Sequence, residues 1–421
     1  MEQVDSLKTG KKFKKTEIGE IPVDWEAIKL SEIIKYTKGK KPNRIIDDIR
    51  EGFSPYLSSE FLRGSRAPQY ASLSNGIVTI DDGDIILLWD GSNAGEFFKG
   101  KKGILSSTMA KIELRTRDIN NKYLFYFLKT YEHILSIQTR GTGIPHVDRA
   151  VFYQISIPLP PLPEQRKIAE ILTTADEAIE KSDEIIEKTK ELKKGLMQEL
   201  FTCGIGHTKF KKTKIGEIPV DWEVSTIKNH TAVITKGTTP STYGHPYTNQ
   251  GILFLRIENI DKQGHISFKE VKYISEETDK FLSRSRLQAG DILFSIAGAL
   301  GRVTVITENL LPANVNQALA IIRLNDNTLN KEYLKYTLQS KIIKTQVNLL
   351  AAQLAQANLN LQQVGDIKFP LPNTDEQKKI TEILSTVDED IEKAVDNKKK
   401  LETIKKGLMQ VLLTGKKRVK V

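Results

Sequence analysis

Residues 12–26 read KFKKTEIGEIPVDWE, and residues 209–223 read KFKKTKIGEIPVDWE. Only Glu17 against Lys214 differs, so the chain carries an internal repeat. A second pair lies further on. Residues 157–204 begin IPLPPLPEQRKIAEILTTADEAIEK and end KKGLMQELFTCG; residues 369–415 begin FPLPNTDEQKKITEILSTVDEDIEK and end KKGLMQVLLTG. The order is a repeated block, a variable block and a long helix, then the same again. The variable blocks keep faint marks of kinship. Thr37-Lys38-Gly39 with Pro42 matches Thr235-Lys236-Gly237 with Pro240, and Gly83-Asp84-Ile85-Ile86-Leu87 matches Gly290-Asp291-Ile292-Leu293-Phe294. Lys122-Tyr123-Leu124 resembles the surroundings of Tyr333-Leu334-Lys335. The simplest physical reading is one scaffold of shared strands and helices carrying two different loop surfaces.

Both repeated segments open with helix-start chemistry. Pro163 suits a first helical turn, and Glu164 and Gln165 follow at the positive end of the dipole. Thr374 and Gln377 have capping-box spacing, and Gly204 and Gly415 stand where helices stop. About 38 proline-free residues between these signals predict helices on the order of 55–60 Å long. That length asks for a coiled-coil explanation. Ile168, Ala175, Ser182, Thr189 and Leu196 fall seven apart, with Ile171, Ala178, Ile185 and Leu192 read as the other seam position. In the second copy Ile380, Val387, Ala394, Leu401 and Leu408 keep the frame, with Ile383, Asp390, Asn397, Ile404 and Val411 as the other seam positions. Such a stripe needs a partner. Antiparallel pairing of the two copies gives a pseudo-two-fold repeat with the variable domains at the two ends of a spacer; the alternative is a helix from another protein. The termini are expected to lie close together, as in circularly related repeats.

The chain has 421 residues, room for two to four domains at roughly 100–200 residues each. Hydrophobic residues are 39% and charged residues 28%, which fits a folded chain rather than a disordered one. Lys and Arg exceed Asp and Glu by 63 to 53, a net charge of +10 that points to a polyanion or an anionic surface. Cys203 is the one cysteine, which excludes an intrachain disulfide framework and a cysteine zinc site. No apolar run approaches the roughly 20 residues of a membrane span, and the first residues lack a signal-peptide core. A cytoplasmic location is the expectation.

Catalytic signatures do not emerge. The histidines at 133, 146, 207, 230, 245 and 265 are scattered, without metal-ligand spacing. Residues 95–101 have phosphate-loop spacing, but Lys102 stands where Ser or Thr is needed. Gly141-Thr142-Gly143 lacks the third glycine of a dinucleotide loop. No Asn-Pro-Pro-Tyr or Asp-Pro-Pro-Tyr type stretch marks an amino-methyltransferase. Glu191-Leu192-Lys193 has nuclease-like spacing but reads as a solvated face of the long helix. Trp25 and Trp222, at the same repeat position, read as core packing beside an Ile-Pro turn.

Nucleic-acid chemistry is better represented. In the first variable block the candidates are Lys38, Lys40, Lys41, Asn43, Arg44, Arg63, Arg66, Lys101 and Lys102, with Lys99 beside them. In the second they are Lys236, Thr238, Thr239, Ser241, Thr242, Arg256, Asn259, Arg284, Arg286, Arg302, Asn316 and Gln317. Arg, Asn and Gln match base edges, while Lys mainly holds phosphates.

The chain resembles the specificity subunit of Type I restriction-modification enzymes. The motifs that carry the resemblance are GEIPVDWE, the Pro-Leu-Pro-x-x-x-Glu-Gln helix start, GDILFSIAGALGRV and the repeated KKGLMQ. The first block carries WDGSNAGEFFKG where the second has IAGALGRV, the form closer to the family's usual loop. The resemblance implies an α+β fold: two α+β target-recognition domains separated by two long antiparallel coiled-coil helices. Boundaries follow as an N-terminal segment 1–16, a recognition domain 17–158, a long helix 159–206, a linker 207–213, a second recognition domain 214–370 and a distal helix with basic tail 371–421. It further implies a non-catalytic subunit that reads a bipartite double-stranded DNA site. The expected partners are two methyltransferase subunits and, for nuclease activity, restriction subunits. S-adenosylmethionine, ATP and Mg are expected on those partners, and no cofactor on this chain. The alternative is a structural coiled-coil adaptor with non-specific DNA binding.

Overall fold

The computed structural model describes residues 13–139, 143–325, 328–352 and 358–420. Most of the expected N-terminal segment, and Gly141-Thr142, lie outside these. The chain divides into two units. One holds residues up to Asp183 together with Asp396 onward, and the other holds Glu184–Val395. Both long helices therefore pass from one unit into the other.

In the first unit the repeated block forms a hairpin, Phe13–Thr16 against Gly19–Pro22, closed by Gly19 at φ +100°. Glu26–Lys29 then pairs with Ser156–Leu159, so the start and the end of the recognition domain are stitched together. Between them lies a four-stranded antiparallel sheet in the order Phe97–Lys99, Ile85–Leu88, Met109–Leu114, Ile34–Lys38. The apolar run Ile85-Ile86-Leu87-Leu88 is buried throughout, as a central strand covered on both faces requires. A five-stranded sheet adjoins it, with one parallel pair, Gly103–Leu105 on Phe53–Leu57. The helix Asn121–Lys129, capped by the Asn120 side chain, buries six consecutive residues from Tyr123 to Leu128.

The second unit repeats this plan. Its hairpin is Phe210–Thr213 with Gly216–Pro219, and Glu223–Thr226 pairs with Lys368–Leu371. Its four-stranded sheet runs Thr231–Lys236, Leu319–Leu324, Ile292–Ser295, Val303–Val305. The parallel pair recurs as Ile252–Leu255 on Ala313–Val315. The faint matches between the variable blocks are thus the shared strands. Gly39 and Gly237 show why: a Cβ at either would strike a carbonyl of the neighbouring segment, Ser106 or Val315.

The long helices run Leu162–Thr202 and Thr374–Leu412, 41 and 39 residues. Gly204 and Gly415 follow them at φ +66° and +70°. The second helix is capped differently from the expectation. Asn373, not Thr374, accepts the Glu376 N–H at 2.9 Å, and the Gln377 side chain goes instead to Asn330, Thr328 and Pro372.

Within each unit the two helices pair antiparallel. In the first, Asp183 meets Lys398 at 2.7 Å and Asp176 meets Lys405, so one number rises as the other falls. In the second, Lys193 reaches Asp388 at 2.6 Å, while Leu200 and Phe201 share a core with Ile380 and Leu384. One half of the expected seam is present, and the other is corrected. Ile168, Ala175, Ser182, Thr189 and Leu196 are buried or half-buried, as are Ile380, Val387, Ala394, Leu401 and Leu408. Ile171, Ala178 and Val411 are half-buried, but Ile185 (49% exposed), Leu192 (56%), Ile383 (38%) and Ile404 (56%) face outward, with Asp390 and Asn397. The second seam position is the next residue along: Leu172, Ile179, Ile186, Lys193 and Leu200, and Leu384, Ile391, Lys398, Lys405 and Leu412. Three lysines disguised this frame. Each lays its methylenes along the seam and delivers its ammonium to an aspartate on the facing helix. Lys193 is therefore no solvated residue.

Two constructions, each present in both units, fix the recognition domain on the helices. Trp25 Nε1 donates to Glu164 at 3.1 Å, and Trp222 Nε1 to Glu376 at 2.9 Å. Both indoles are buried, as expected of core packing. Arg418 donates to Glu164 (2.6 Å) and to Asp24 (2.8 and 2.7 Å), and those carboxylates raise its pKa. At the corresponding place in the second unit stands His207, 2.9 Å from Glu376. The tail after the second helix therefore packs on the first repeated block, consistent with the expected closeness of the termini, although residues 1–12 lie outside the described ones. The second construction is Tyr126 donating to Asp176 at 2.6 Å beside Lys405, repeated as Tyr336 donating to Asp388 at 2.8 Å beside Lys193. Burial, then the hydrogen bond to aspartate, pushes both tyrosine hydroxyls up. Burial works to raise the Asp176 carboxyl, but hydrogen bonds from Lys405, Tyr126 and Lys99 outweigh it, and its pKa falls.

Candidate nucleic-acid interface

The candidate residues fall into two groups once placed. In the first unit Lys40, Lys41, Asn43 and Arg44 are exposed on the loop that leaves the sheet at Gly39. Lys38, also exposed, reaches Asp90 at 2.7 Å. Arg66 and Lys102 are exposed, and Lys101 lies 5.9 Å from the Phe61 ring. Arg63 is committed to Glu96 at 3.0 Å, with its guanidinium 5.7 Å from the Phe98 ring. Lys99 belongs to the helix attachment, 3.0 Å from Asp176 and 3.2 Å from Tyr126.

In the second unit Lys236, Ser241, Thr242 and Arg284 are exposed. Thr238 and Thr239 are half-buried, and Thr239 bonds to Gln317, which joins the two segments at the sheet edge. Asn316 turns back to the Ala318 N–H at 3.3 Å. Several candidates hydrogen-bond within the scaffold. Asn259 is buried, accepting from Arg256 N (3.0 Å) and donating to Ser267 O (3.3 Å). Arg302 caps the carbonyls of Ile257 and Ile260. Arg256 donates to Glu270 O at 3.2 Å, and Arg286 to Asp279 at 2.6 Å. All four have hydrogen-bond partners within their own unit, while Arg286 stays exposed and the Arg256 Nε makes no hydrogen bond. Sequence could not reveal this, because Arg and Asn serve loops and base edges with the same donors.

One cluster escaped the sequence reading. Tyr36 stacks on Trp89 with ring centroids 4.3 Å apart, and Tyr153 lies 5.9 Å from Tyr36. The Arg149 guanidinium sits 5.8 Å from the Tyr36 ring and 5.5 Å from that of Tyr153. The signal available was the difference between copies at WDGSNAG and IAGALG, which puts Trp89 where Ile296 stands.

Among the described residues, no group of three or more His, Cys, Asp or Glu is placed to hold a metal ion. Among them no helix is long and apolar enough to cross a membrane.

The profile of the Type I restriction modification DNA specificity domain matches residues 22–191 and 219–403, one match for each copy of the repeat. The MjaVIII specificity subunit of a Type I restriction enzyme from Methanocaldococcus jannaschii is 39% identical, covering 95% of this chain and 94% of the relative. The putative MjaX specificity subunit from the same organism is 31% identical over 97% of each chain. The crystal structure of a Type I restriction-modification S subunit from M. genitalium shares the fold, with a TM-score of 0.58 at 15% identity, covering 92% of this chain and 96% of that one. Duplicated sequence, duplicated fold and matched relatives agree: the chain belongs to the family of Type I restriction enzyme DNA specificity subunits.

Proposed function

We propose that each unit reads one half of a bipartite double-stranded DNA site, and that the paired helices set the spacer between the halves. One observation carries this reading. The four-stranded sheet and the Trp–Glu and Tyr–Asp–Lys attachments recur in both units, whereas the loops at the sheet edges differ. A common mount with two different reading surfaces is what two unlike half-sites need. Lys38, Lys40, Lys41, Arg66 and Lys236 supply phosphate contacts; Asn43, Arg44, Arg284 and Gln317 supply base-edge chemistry.

The chain is a non-catalytic, cytoplasmic subunit that docks two methyltransferase subunits and, through them, restriction subunits. S-adenosylmethionine, ATP and Mg act on those partners. The docking points are the outward-facing Leu192 and Ile404, equivalent positions in the two copies and both 56% exposed. Leu192→Asp and Ile404→Asp are expected to leave the fold's stability within about 0.5 kcal/mol. Each is expected to weaken methyltransferase binding by more than tenfold in a pull-down titration.

The direct test is co-expression with methyltransferase subunits and genome-wide mapping of methyladenine. A gapped, two-part motif is expected. A continuous motif, or none, counts against the reading and favours a coiled-coil adaptor with non-specific DNA binding.

A further inference from the structure

The two units carry the same strands at one sheet edge but fill it with different chemistry. In the first, the Val147 N–H donates to the Trp89 carbonyl at 2.9 Å; in the second, the Leu359 N–H donates to the Ile296 carbonyl at 2.8 Å. That shared bond sets the correspondence. Tyr36, Trp89, Arg149 and Tyr153 of the first unit become Ile234, Ile296, Leu361 and Gly365 of the second. The second unit closes this place with aliphatic packing. The first lines a cavity of about 570 Å³ with Tyr36, Trp89, His146, Arg149 and Tyr153.

Three features define what fits there. Trp89 is buried and forms the floor, braced edge-on by Phe152 at 6.0 Å, while Tyr36 and Tyr153 are half-exposed. Arg149 lies over both tyrosine rings from the first turn of its short helix and is itself exposed. The cavity also opens beside the cationic loop: Tyr36 and Lys38 share one face of their strand, and Lys38 reaches Asp90, the neighbour of Trp89. Ring faces attract flat heterocycles, a guanidinium stacks on them, and nearby ammonium groups hold the attached phosphate.

We propose that this cavity takes an unstacked nucleobase, laid against Tyr36 and Tyr153 and covered by the Arg149 guanidinium. The inference rests on the assignment of the first unit to DNA. The same chemistry accommodates a base turned out of the bound duplex or the base of a free nucleotide, and the test separates the two.

The experiment uses the full chain with its methyltransferase subunits and a duplex carrying the mapped site. Each nucleotide of both half-sites is replaced in turn by an abasic analogue, and binding is measured for the wild type and for Tyr36→Ala, Tyr153→Ala and Arg149→Ala. Stacking predicts a roughly 5- to 150-fold loss of affinity for the tyrosine variants. That loss is expected to disappear at one abasic position, within the half-site of the first unit. Tyr36→Phe and Tyr153→Phe are expected to restore binding, which separates stacking from misfolding. Additive effects at every position, with alanine variants that bind DNA as the wild type and no ring-dependent nucleotide binding in dialysis, would overturn the cavity while leaving DNA reading intact. Absence of half-site preference in the wild type would overturn both. Equilibrium dialysis against adenosine and thymidine monophosphates gives the other arm. Ring-dependent binding of these, with additive abasic data, assigns the cavity to a free nucleotide.

Discussion

The first unit is closed by Arg418 and the second by His207, although both stand at the same place in the repeat. Each touches the glutamate that accepts the buried indole, Glu164 or Glu376, and each follows the end of a long helix. The first unit needs the tail that follows the second helix, and the second unit needs the turn that follows the first. The sequence repeat and the folded unit are therefore offset: the first unit joins two stretches of chain, up to Asp183 and from Asp396, while the second is the single stretch Glu184–Val395. What the repeat preserves is the attachment of sheet to helix, a carboxylate collecting an indole and a basic side chain. What it releases is the far edge of the sheet, where Trp89 and Ile296 differ.

The largest expected effect tests that equivalence directly. Trp25→Ala and Trp222→Ala each remove a buried indole and strand a glutamate, and each is expected to cost about 3–5 kcal/mol in denaturant titration. Similar losses sustain the comparison; a loss in one unit only would break it. Ile186→Ala, in the corrected seam, is expected to cost about 2–5 kcal/mol. Next come Asp176→Ala and Asp388→Ala, at about 1–3 kcal/mol, because each leaves a tyrosine hydroxyl and a lysine without their acceptor. Asp176 also faces Lys99, so the first unit is expected to lose more.

The Asp176 carboxyl has a lowered pKa in the folded chain. Its contribution is fully present above the ordinary carboxylate range and is lost as pH falls through the lowered value. Asp176→Asn is expected to flatten the acid limb of a stability-against-pH curve for the first unit; an unchanged limb would refute the assignment. The smallest effect sharpens the helix frame. Ile185→Ala is expected to change stability by no more than about 0.5 kcal/mol, one residue away from the costly Ile186→Ala.

Much of the fold was legible in the chain because duplication exposes it. The repeated 12–26 block, the GDI strand and the helix stops at Gly204 and Gly415 all form what their pattern implies. The second seam position was not legible. Ile171, Ala178, Ile185 and Leu192 make a plausible stripe, while the true positions include Lys193, Lys398 and Lys405, which read as polar until their aspartates are located. The candidate site was legible in its loops and less so in its residues. Asn259 and Arg302 read in sequence as free loop donors, and in the fold both hydrogen-bond to neighbouring loop carbonyls.

Order along the chain already shows one scaffold written twice, with two long helices and two unlike loop sets. Periodicity and self-similarity are properties of order along the chain, and they need no coordinates. The fold sets which helix face is buried, and it brings Tyr36, Trp89, Arg149 and Tyr153 to line one cavity. Those are relations between residues distant in sequence. Whether a donor is already used, or a ring face is open, depends on what the rest of the chain places beside it.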